Sequence, residues 1–348
     1  MTQRKTYLDI LRIIATFSVV VIHVSATPWY KYPTSSLNWQ FSNVWDSSAR
    51  FSVPIFFMIS GILFLNPQKN ITIKTIMTKY IKRIFFILIF WSIFYSAYNT
   101  YNDFKFDISA QSIKYFIKNA IYGPYHFWFL FVLIGLYLVT PILREIAKNE
   151  KILNYFISLS FIISIILPTL QLIPKFGNYF FGYIELYQIR TVLGYSFYFV
   201  FGYWLDQQQF TKKQLNLSYI IGFLAICVTA ILTSLVSLKQ NHLNTTFYDY
   251  LRLNNMLAAT GIFLFIKNKS TAIDLKESTL TIINKHSKYS FGIFIIHAFV
   301  LSLLSRFSFF YSFTQALSIP LLSVATYTSS YIFTAIIYRL PKKFHILV

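Results

Sequence analysis

The first apolar segment of the chain carries two ionisable side chains, Arg12 and His23, which lie eleven positions apart. Eleven residues at about 100° each come within about 20° of three full helical turns, so both residues share one face, roughly 16 Å apart along the axis. Ionisable groups at membrane depth are costly, face protein or water, and usually serve function. A neutral imidazole can remove a proton from an attacking hydroxyl group. His23 is therefore our candidate catalytic residue.

Five further candidates lie in other apolar segments. Arg50, Arg190 and Arg252 fall in the first turns of three segments, His126 begins a fourth, and His297 lies within a fifth. Arginine can hold phosphate or carboxylate or stabilise an oxyanion, and it can equally snorkel to headgroups or pair with a nearby carboxylate. A buried histidine can also simply bind a backbone carbonyl. The sequence has no spacing typical of a metal site or a nucleotide loop, so we expect no metal.

The composition identifies the elements that must position these residues. The chain has 348 residues, of which 56% are hydrophobic and 12% charged, whereas a soluble domain averages about 25% charged. The single cysteine excludes a disulfide framework. The predicted fold is an all-α polytopic membrane protein, one integral membrane domain over residues 1–348. About ten transmembrane helices are expected, near 8–28, 47–66, 83–101, 125–144, 152–171, 186–205, 217–238, 249–267, 288–305 and 318–339.

The basic residues predict the orientation. The formal net charge is +20, and if the N-terminus is cytoplasmic, most lysines and arginines outside the spans fall in cytoplasmic loops. Both termini are therefore predicted to be inside. The surplus would face anionic lipid or an anionic cosubstrate rather than nucleic acid. Between the third and fourth spans, residues 108–122 have the pattern of an amphipathic helix at the outer interface.

Four sequence motifs of the chain resemble those of one protein family. They are Leu8-Asp9-x-x-Arg12 with His23, the run RFSVPIFFMISG from Arg50, the run YHFWFL from Tyr125 with GLYL and Pro141 beyond it, and SFGIFIIH ending at His297. Together they resemble the acyltransferase-3 family of membrane-bound acyltransferases, and the third resembles the branch that O-acetylates bacterial surface sugars. The family often has an R-x-x-R pair after its second helix, and here Tyr80 takes the place of the first arginine.

The resemblance implies a reaction and a location. It implies transfer of an acyl group, usually acetyl, from cytoplasmic acyl-CoA to a hydroxyl of an envelope or lipid-linked glycan, in the bacterial cytoplasmic membrane. Acetyl-CoA would be a cosubstrate, with no bound cofactor. The acceptor, the acyl group and the oligomeric state stay open.

The same resemblance gives each candidate residue a role. His23 would be the base or would itself carry the acyl group. The path for donor or acceptor would be lined by Arg12, Arg50, His126 and His297. The CoA phosphates would meet Lys79, Lys82 and Arg83, and Arg190 and Arg252 are candidates on the acceptor side.

Two rival functions remain. A polysaccharide or glycolipid exporter or flippase would need no CoA, although the sequence lacks the paired interrupted helices of inverted-repeat transporters. A catalytically silent membrane scaffold would have no use for the shared face of Arg12 and His23.

Overall fold

A computed structural model describes residues 5–105, 107–173, 177 and 194–348, and the regular elements of these residues are all helical. The α-helices are α1 (Thr6–Ala26), α2 (Leu37–Ala49), α3 (Ser52–Leu65), α4 (Ile73–Thr75), α5 (Lys82–Phe104), α6 (Ala110–Tyr122), α7 (Trp128–Lys148), α8 (Glu150–Phe161), α9 (Leu167–Leu170), α10 (Ser196–Gln207), α11 (Lys212–Gln240), α12 (Leu253–Thr271), α13 (Glu277–Leu304) and α14 (Gln315–Arg339). Two π-helical stretches, Ile76–Ile81 and Ile162–Ile166, join α4 to α5 and α8 to α9.

Eight helical segments of the described residues are long and apolar enough to cross a membrane. They are Thr6–Ala26, Leu37–Leu65, Ile73–Phe104, Ala110–Lys148, Glu150–Leu170, Lys212–Gln240, Glu277–Leu304 and Gln315–Arg339. The prediction of an all-helical, multi-pass membrane protein is confirmed.

Two of the ten predicted spans are not among these eight segments. Much of the span at 186–205 lies outside the described residues. The span at 249–267 does form a helix, α12, but its polar residues make it less apolar than the others. The total of ten transmembrane helices and the cytoplasmic position of both termini stay predictions.

The helix α1 is central and carries both Arg12 and His23. It is continuous over Thr6–Ala26 and packs against α2, α3, α12, α13 and α14. Since α1 is surrounded by other helices, the face that carries Arg12 and His23 packs against protein. This avoids the free-energy cost of exposing ionisable side chains to lipid.

The second apolar segment is interrupted at Arg50. The helix α2 ends at Ala49, and α3 begins at Ser52 with Pro54 in its first turn. Proline is tolerated there because backbone N–H groups of a first turn have no partner within the helix. Arg50 therefore lies at the junction of two helices rather than on a straight one.

The position of α3 is fixed by a very close crossing with α10. A Cβ atom added at Gly61 would lie 1.6 Å from the carbonyl oxygen of Phe199, and one added at Gly202 would lie 2.4 Å from the Cα of Met58. Small residues at such crossings let helix backbones touch inside a membrane.

The predicted amphipathic segment forms the helix α6. Ser109 caps its N-terminus in a reciprocal capping box with Ser112, and Ser96 on α5 donates a hydrogen bond of 2.6 Å to the carbonyl oxygen of Phe116. The helix is confirmed, and its place at the outer interface stays a prediction.

Candidate active site

Three histidines from distant parts of the sequence meet in the interior. His23 lies on α1, His126 in the 3-10 turn Tyr125–Phe127 before α7, and His297 on α13. The ring centroids of His23 and His297 are 5.0 Å apart with the rings inclined by 27°, and those of His126 and His297 are 5.2 Å apart. His23 and His126 are separated by 6.3 Å. We call these three residues the histidine cluster.

The tautomer of His297 follows from its hydrogen bond. Its Nδ1 atom is 2.6 Å from the carbonyl oxygen of Phe294, and because a carbonyl only accepts, Nδ1 carries the hydrogen. In the neutral ring Nε2 then keeps its lone pair, and this fully buried atom has no hydrogen-bonding partner among the described residues. The bond to a backbone carbonyl anchors the ring of His297 on α13. His297 is not among the lining residues of either cavity described below, so the predicted role of its side chain in lining the path stays a prediction.

His126 is held by aromatic packing. It is buried, and neither ring nitrogen makes a hydrogen bond of ordinary geometry within the part of the chain that the structure describes. Its ring packs edge-on against Tyr95 at 5.4 Å. The Tyr95 hydroxyl donates to the carbonyl oxygen of Ile295 at 2.8 Å and accepts from the N–H of Phe299 at 3.1 Å. Tyr95 thereby ties α5 to α13 beside the cluster.

A small chamber opens beside the histidine cluster. Its volume is about 30 Å³, and its lining includes His23, His126, Trp128 and Tyr250. A volume of this size holds about two water molecules. The chamber can therefore receive only a small reacting group.

Arg50 is fixed next to this chamber. Its Nε atom forms an ion pair with the fully buried carboxylate of Asp46, which also accepts a hydrogen bond of 3.2 Å from Ser25 on α1. Its guanidinium lies 4.3 Å from the ring centroid of Tyr248 and 5.7 Å from that of Tyr250. Arginine over an aromatic face is attracted by the ring quadrupole. Tyr250 thus links Arg50 to the chamber that His23 lines.

A much larger cavity lies at the Arg12 end of α1. Its volume is about 430 Å³, and its basic lining residues are Arg12, Arg83 and Lys288. Arg12 donates a hydrogen bond of 3.0 Å to the Ser287 hydroxyl, which itself donates one of 2.5 Å to Asp9. These bonds join the start of α1 to α13 and hold the guanidinium at the cavity wall.

Tyr80 also lines this cavity. Its ring packs against Phe64 at 4.7 Å and Tyr137 at 6.1 Å. Where the family pattern would have an arginine, this chain places an aromatic side chain in the wall.

The remaining sequence candidates lie elsewhere. Lys79 and Lys82 are exposed and are not among the lining residues of either cavity. Arg252 is buried at the start of α12, 3.7 Å from the Asp249 carboxylate, and also lines neither. Arg190 lies outside the described residues. The predicted roles of these four residues stay predictions.

Some residues of the site were not among the sequence candidates. They are Lys288 in the wall of the large cavity and the tyrosine partners of Arg50, Tyr248 and Tyr250. Asp46 is a further such residue, and its i, i+4 spacing from Arg50 is the sequence signal that identifies the pair. Across the described residues, no three histidine, cysteine or carboxylate side chains are arranged to hold a metal ion.

The family profile described as an acyltransferase domain, that of the acyltransferase-3 family, matches residues 5–339. The chain belongs to the acyltransferase-3 family. The resemblance drawn from the four motifs is confirmed, and this is a multi-pass membrane protein of an acyltransferase family.

Two relatives of this acyltransferase-3 protein come from Staphylococcus aureus strains MSSA476 and MRSA252. Each is described as a probable poly-beta-1,6-N-acetyl-D-glucosamine export protein, and each is 23% identical over 261 residues, which cover 74% of this chain and 71% of the relative. No solved structure matches the chain. The relatives are connected by their description with a glycan.

Proposed function

We propose that this protein transfers an acyl group from acyl-CoA, held in the large basic cavity, to a hydroxyl group of a cell-envelope or lipid-linked glycan at the histidine cluster. The observation that carries the proposal is the placement of two cavities along one helix. Arg12 of α1 lines the large cavity and His23 of the same helix lines the small chamber.

The large cavity has the chemistry that coenzyme A requires. Arg12, Arg83 and Lys288 offer positive charge to its phosphate groups, and guanidinium groups bind phosphate in a bidentate manner. The rest of the lining is mostly apolar and aromatic, which suits the uncharged pantetheine arm. On the predicted orientation this cavity faces the cytoplasm, where acyl-CoA is made.

The histidine cluster would carry out the transfer. The acceptor hydroxyl oxygen attacks the thioester carbonyl, a C–O bond forms, and the C–S bond breaks. The hydroxyl proton passes to an imidazole nitrogen and from there to the departing sulfur, which leaves as CoA thiol. His23 either acts as this base or first takes the acyl group on its own ring nitrogen and then yields it to the hydroxyl.

His297 and Arg50 would support this step from two sides. The near-parallel ring of His297 limits the orientations open to His23. Arg50, paired with Asp46 and stacked on Tyr248, would present a fixed positive charge towards the developing oxyanion or the acceptor. On this proposal the chamber is the acceptor side of the site.

The test uses purified protein in detergent with radiolabelled acetyl-CoA and oligosaccharides of β-1,6-linked N-acetylglucosamine, the glycan in the relatives' description. We expect label on the oligosaccharide and release of CoA thiol, both absent with H23A. For other acceptors, surface glycans from cells with and without the protein are compared by mass spectrometry for loss of an acetyl increment. If no glycan changes and no thiol is released, the proposal is wrong.

A second candidate function, glycan export, is favoured by the description of the Staphylococcus relatives. An exporter moves its passenger between two compartments and has no need of acyl-CoA. Release of CoA thiol by the protein in detergent, where no compartments exist, therefore separates the two functions.

A further inference from the structure

Three phenylalanine side chains stand between the two cavities. Phe56 of α3, Phe129 of α7 and Phe294 of α13 each line both the large cavity and the small chamber. Their rings form a continuous row, with centroids 5.8 Å apart for Phe56 and Phe129 and 5.5 Å apart for Phe129 and Phe294. Side chains that reach two neighbouring cavities from three separate helices form a wall between them. We call these three residues the phenylalanine partition.

The partition crosses the route from the donor to the histidine cluster. Arg12 lies on one side of it and His23 on the other, because the first lines only the large cavity and the second only the chamber. An acyl group whose CoA lies against Arg12 must pass these three rings to reach His23.

We propose that the phenylalanine partition is the size-selecting element of the protein and sets the longest acyl group that reaches His23. This inference rests on the proposed function, since it takes the large cavity as the donor side. The chamber beyond the partition has a volume of about 30 Å³, enough for about two water-sized groups. Each further methylene of an acyl chain would have to displace a ring of a close-packed wall.

The three rings differ in how firmly they are held. Phe129 and Phe294 are each only 7% exposed, and the Phe294 carbonyl accepts the hydrogen bond from Nδ1 of His297. Phe56 is only partly buried. Shortening Phe56 should therefore enlarge the passage with the least disturbance of the histidine cluster, and Phe129 is the second position to shorten.

The experiment uses inside-out membrane vesicles from cells that lack the chromosomal gene and express wild-type or variant protein. Radiolabelled acetyl-CoA and butyryl-CoA are supplied separately, and incorporation of each label into the glycan fraction is measured. We expect F56A and F129A to raise the butyryl-to-acetyl ratio by about 10-fold or more, since one methylene in an apolar pocket already changes selectivity by about 10–200-fold.

A matched control removes a phenylalanine from the same neighbourhood. Phe299 lies on α13 with Phe294 but packs against Phe94 and Tyr98 and lines neither cavity. The variant F299A should leave the ratio unchanged. If an alanine variant does not accumulate, F56L opens the wall more gently and should move the ratio in the same direction.

The two possible failures are distinguishable. Wild-type vesicles that take up label from neither acyl-CoA would overturn the proposed function, and this inference with it. Wild-type vesicles that use acetyl-CoA, together with folded F56A and F129A proteins that keep the wild-type ratio, would overturn the partition alone.

Discussion

The two cavities along α1 differ in size, charge and accessibility. The cavity at Arg12 measures about 430 Å³ and includes the exposed Arg83 and Lys288, whereas the chamber at His23 measures about 30 Å³ and includes the buried His126. A large basic cavity can bind a large anionic molecule, and a small buried chamber can confine a reaction away from water. On the proposed function, this difference separates the binding of acyl-CoA from the transfer chemistry along one helix.

The strongest test of this separation is a variant that abolishes acyl transfer but still binds acetyl-CoA. We expect H23A to lower the rate of acyl transfer by about 10²–10⁴-fold, the usual contribution of a general acid or base. Acetyl-CoA affinity, measured by equilibrium binding, should stay within about twofold because His23 does not line the large cavity. The matched control is H242A, an exposed loop histidine, which should transfer at the wild-type rate. Loss of acetyl-CoA binding in H23A would contradict the separation.

A smaller loss of acyl-transfer activity is expected when Arg50 is left without the Asp46 carboxylate. The variant D46A removes a fully buried carboxylate and leaves the guanidinium uncompensated, which typically costs about 3–5 kcal/mol. We expect a lower unfolding temperature and slower transfer, again with unchanged acetyl-CoA affinity. The isosteric D46N variant keeps a hydrogen-bond acceptor for Arg50. It should therefore show a smaller fall in unfolding temperature and in transfer rate than D46A. Equal losses in the two variants would show that the contact between Asp46 and Arg50 is not what matters.

The large cavity is tested by removing one of its charges. The variant R83Q should raise the KM for acetyl-CoA by about 10-fold or more, as expected for a lost charge-assisted hydrogen bond, with little change in kcat. Initial rates over a range of acetyl-CoA concentrations separate the two constants. A fall in kcat at constant KM would instead place Arg83 with the chemistry.

The smallest effect is expected at Lys79. It belongs to the same basic segment as Arg83 but is exposed and does not line the cavity, so K79Q should change the KM for acetyl-CoA by less than about twofold, and more weakly still at high salt. Equal effects of K79Q and R83Q would mean that the whole segment, rather than the cavity, attracts the cosubstrate.

Much of the fold follows from the sequence because periodicity and hydropathy are local properties. The shared face of Arg12 and His23 needs only the geometry of a single helix, and the structure places both residues against protein. The sequence predicts one straight span over residues 47–66, and the structure corrects this with a break at Arg50. Its cause is local but subtle, a proline in the first turn of α3.

The candidate site depends on contacts between distant segments, which a single sequence does not give. Nothing local indicates that His126 and His297 approach His23, although all three fall within the family motifs. The phenylalanine partition is still harder to predict from the sequence, because the chain contains 38 phenylalanines and most of them resemble lipid-facing residues. Each of Phe56, Phe129 and Phe294 does lie within one of the motifs, and that is the signal that could have identified them.

The central claim is that acyl groups enter at the Arg12 cavity from the cytoplasm and react at His23 on the far side of the partition. Sealed inside-out and right-side-out vesicles, both carrying the wild-type protein and its native lipids, test it when radiolabelled acetyl-CoA is added outside. We predict incorporation into glycan with inside-out vesicles and none with right-side-out vesicles or with H23A in either orientation. Equal incorporation in both orientations, or incorporation only into right-side-out vesicles, would contradict the account.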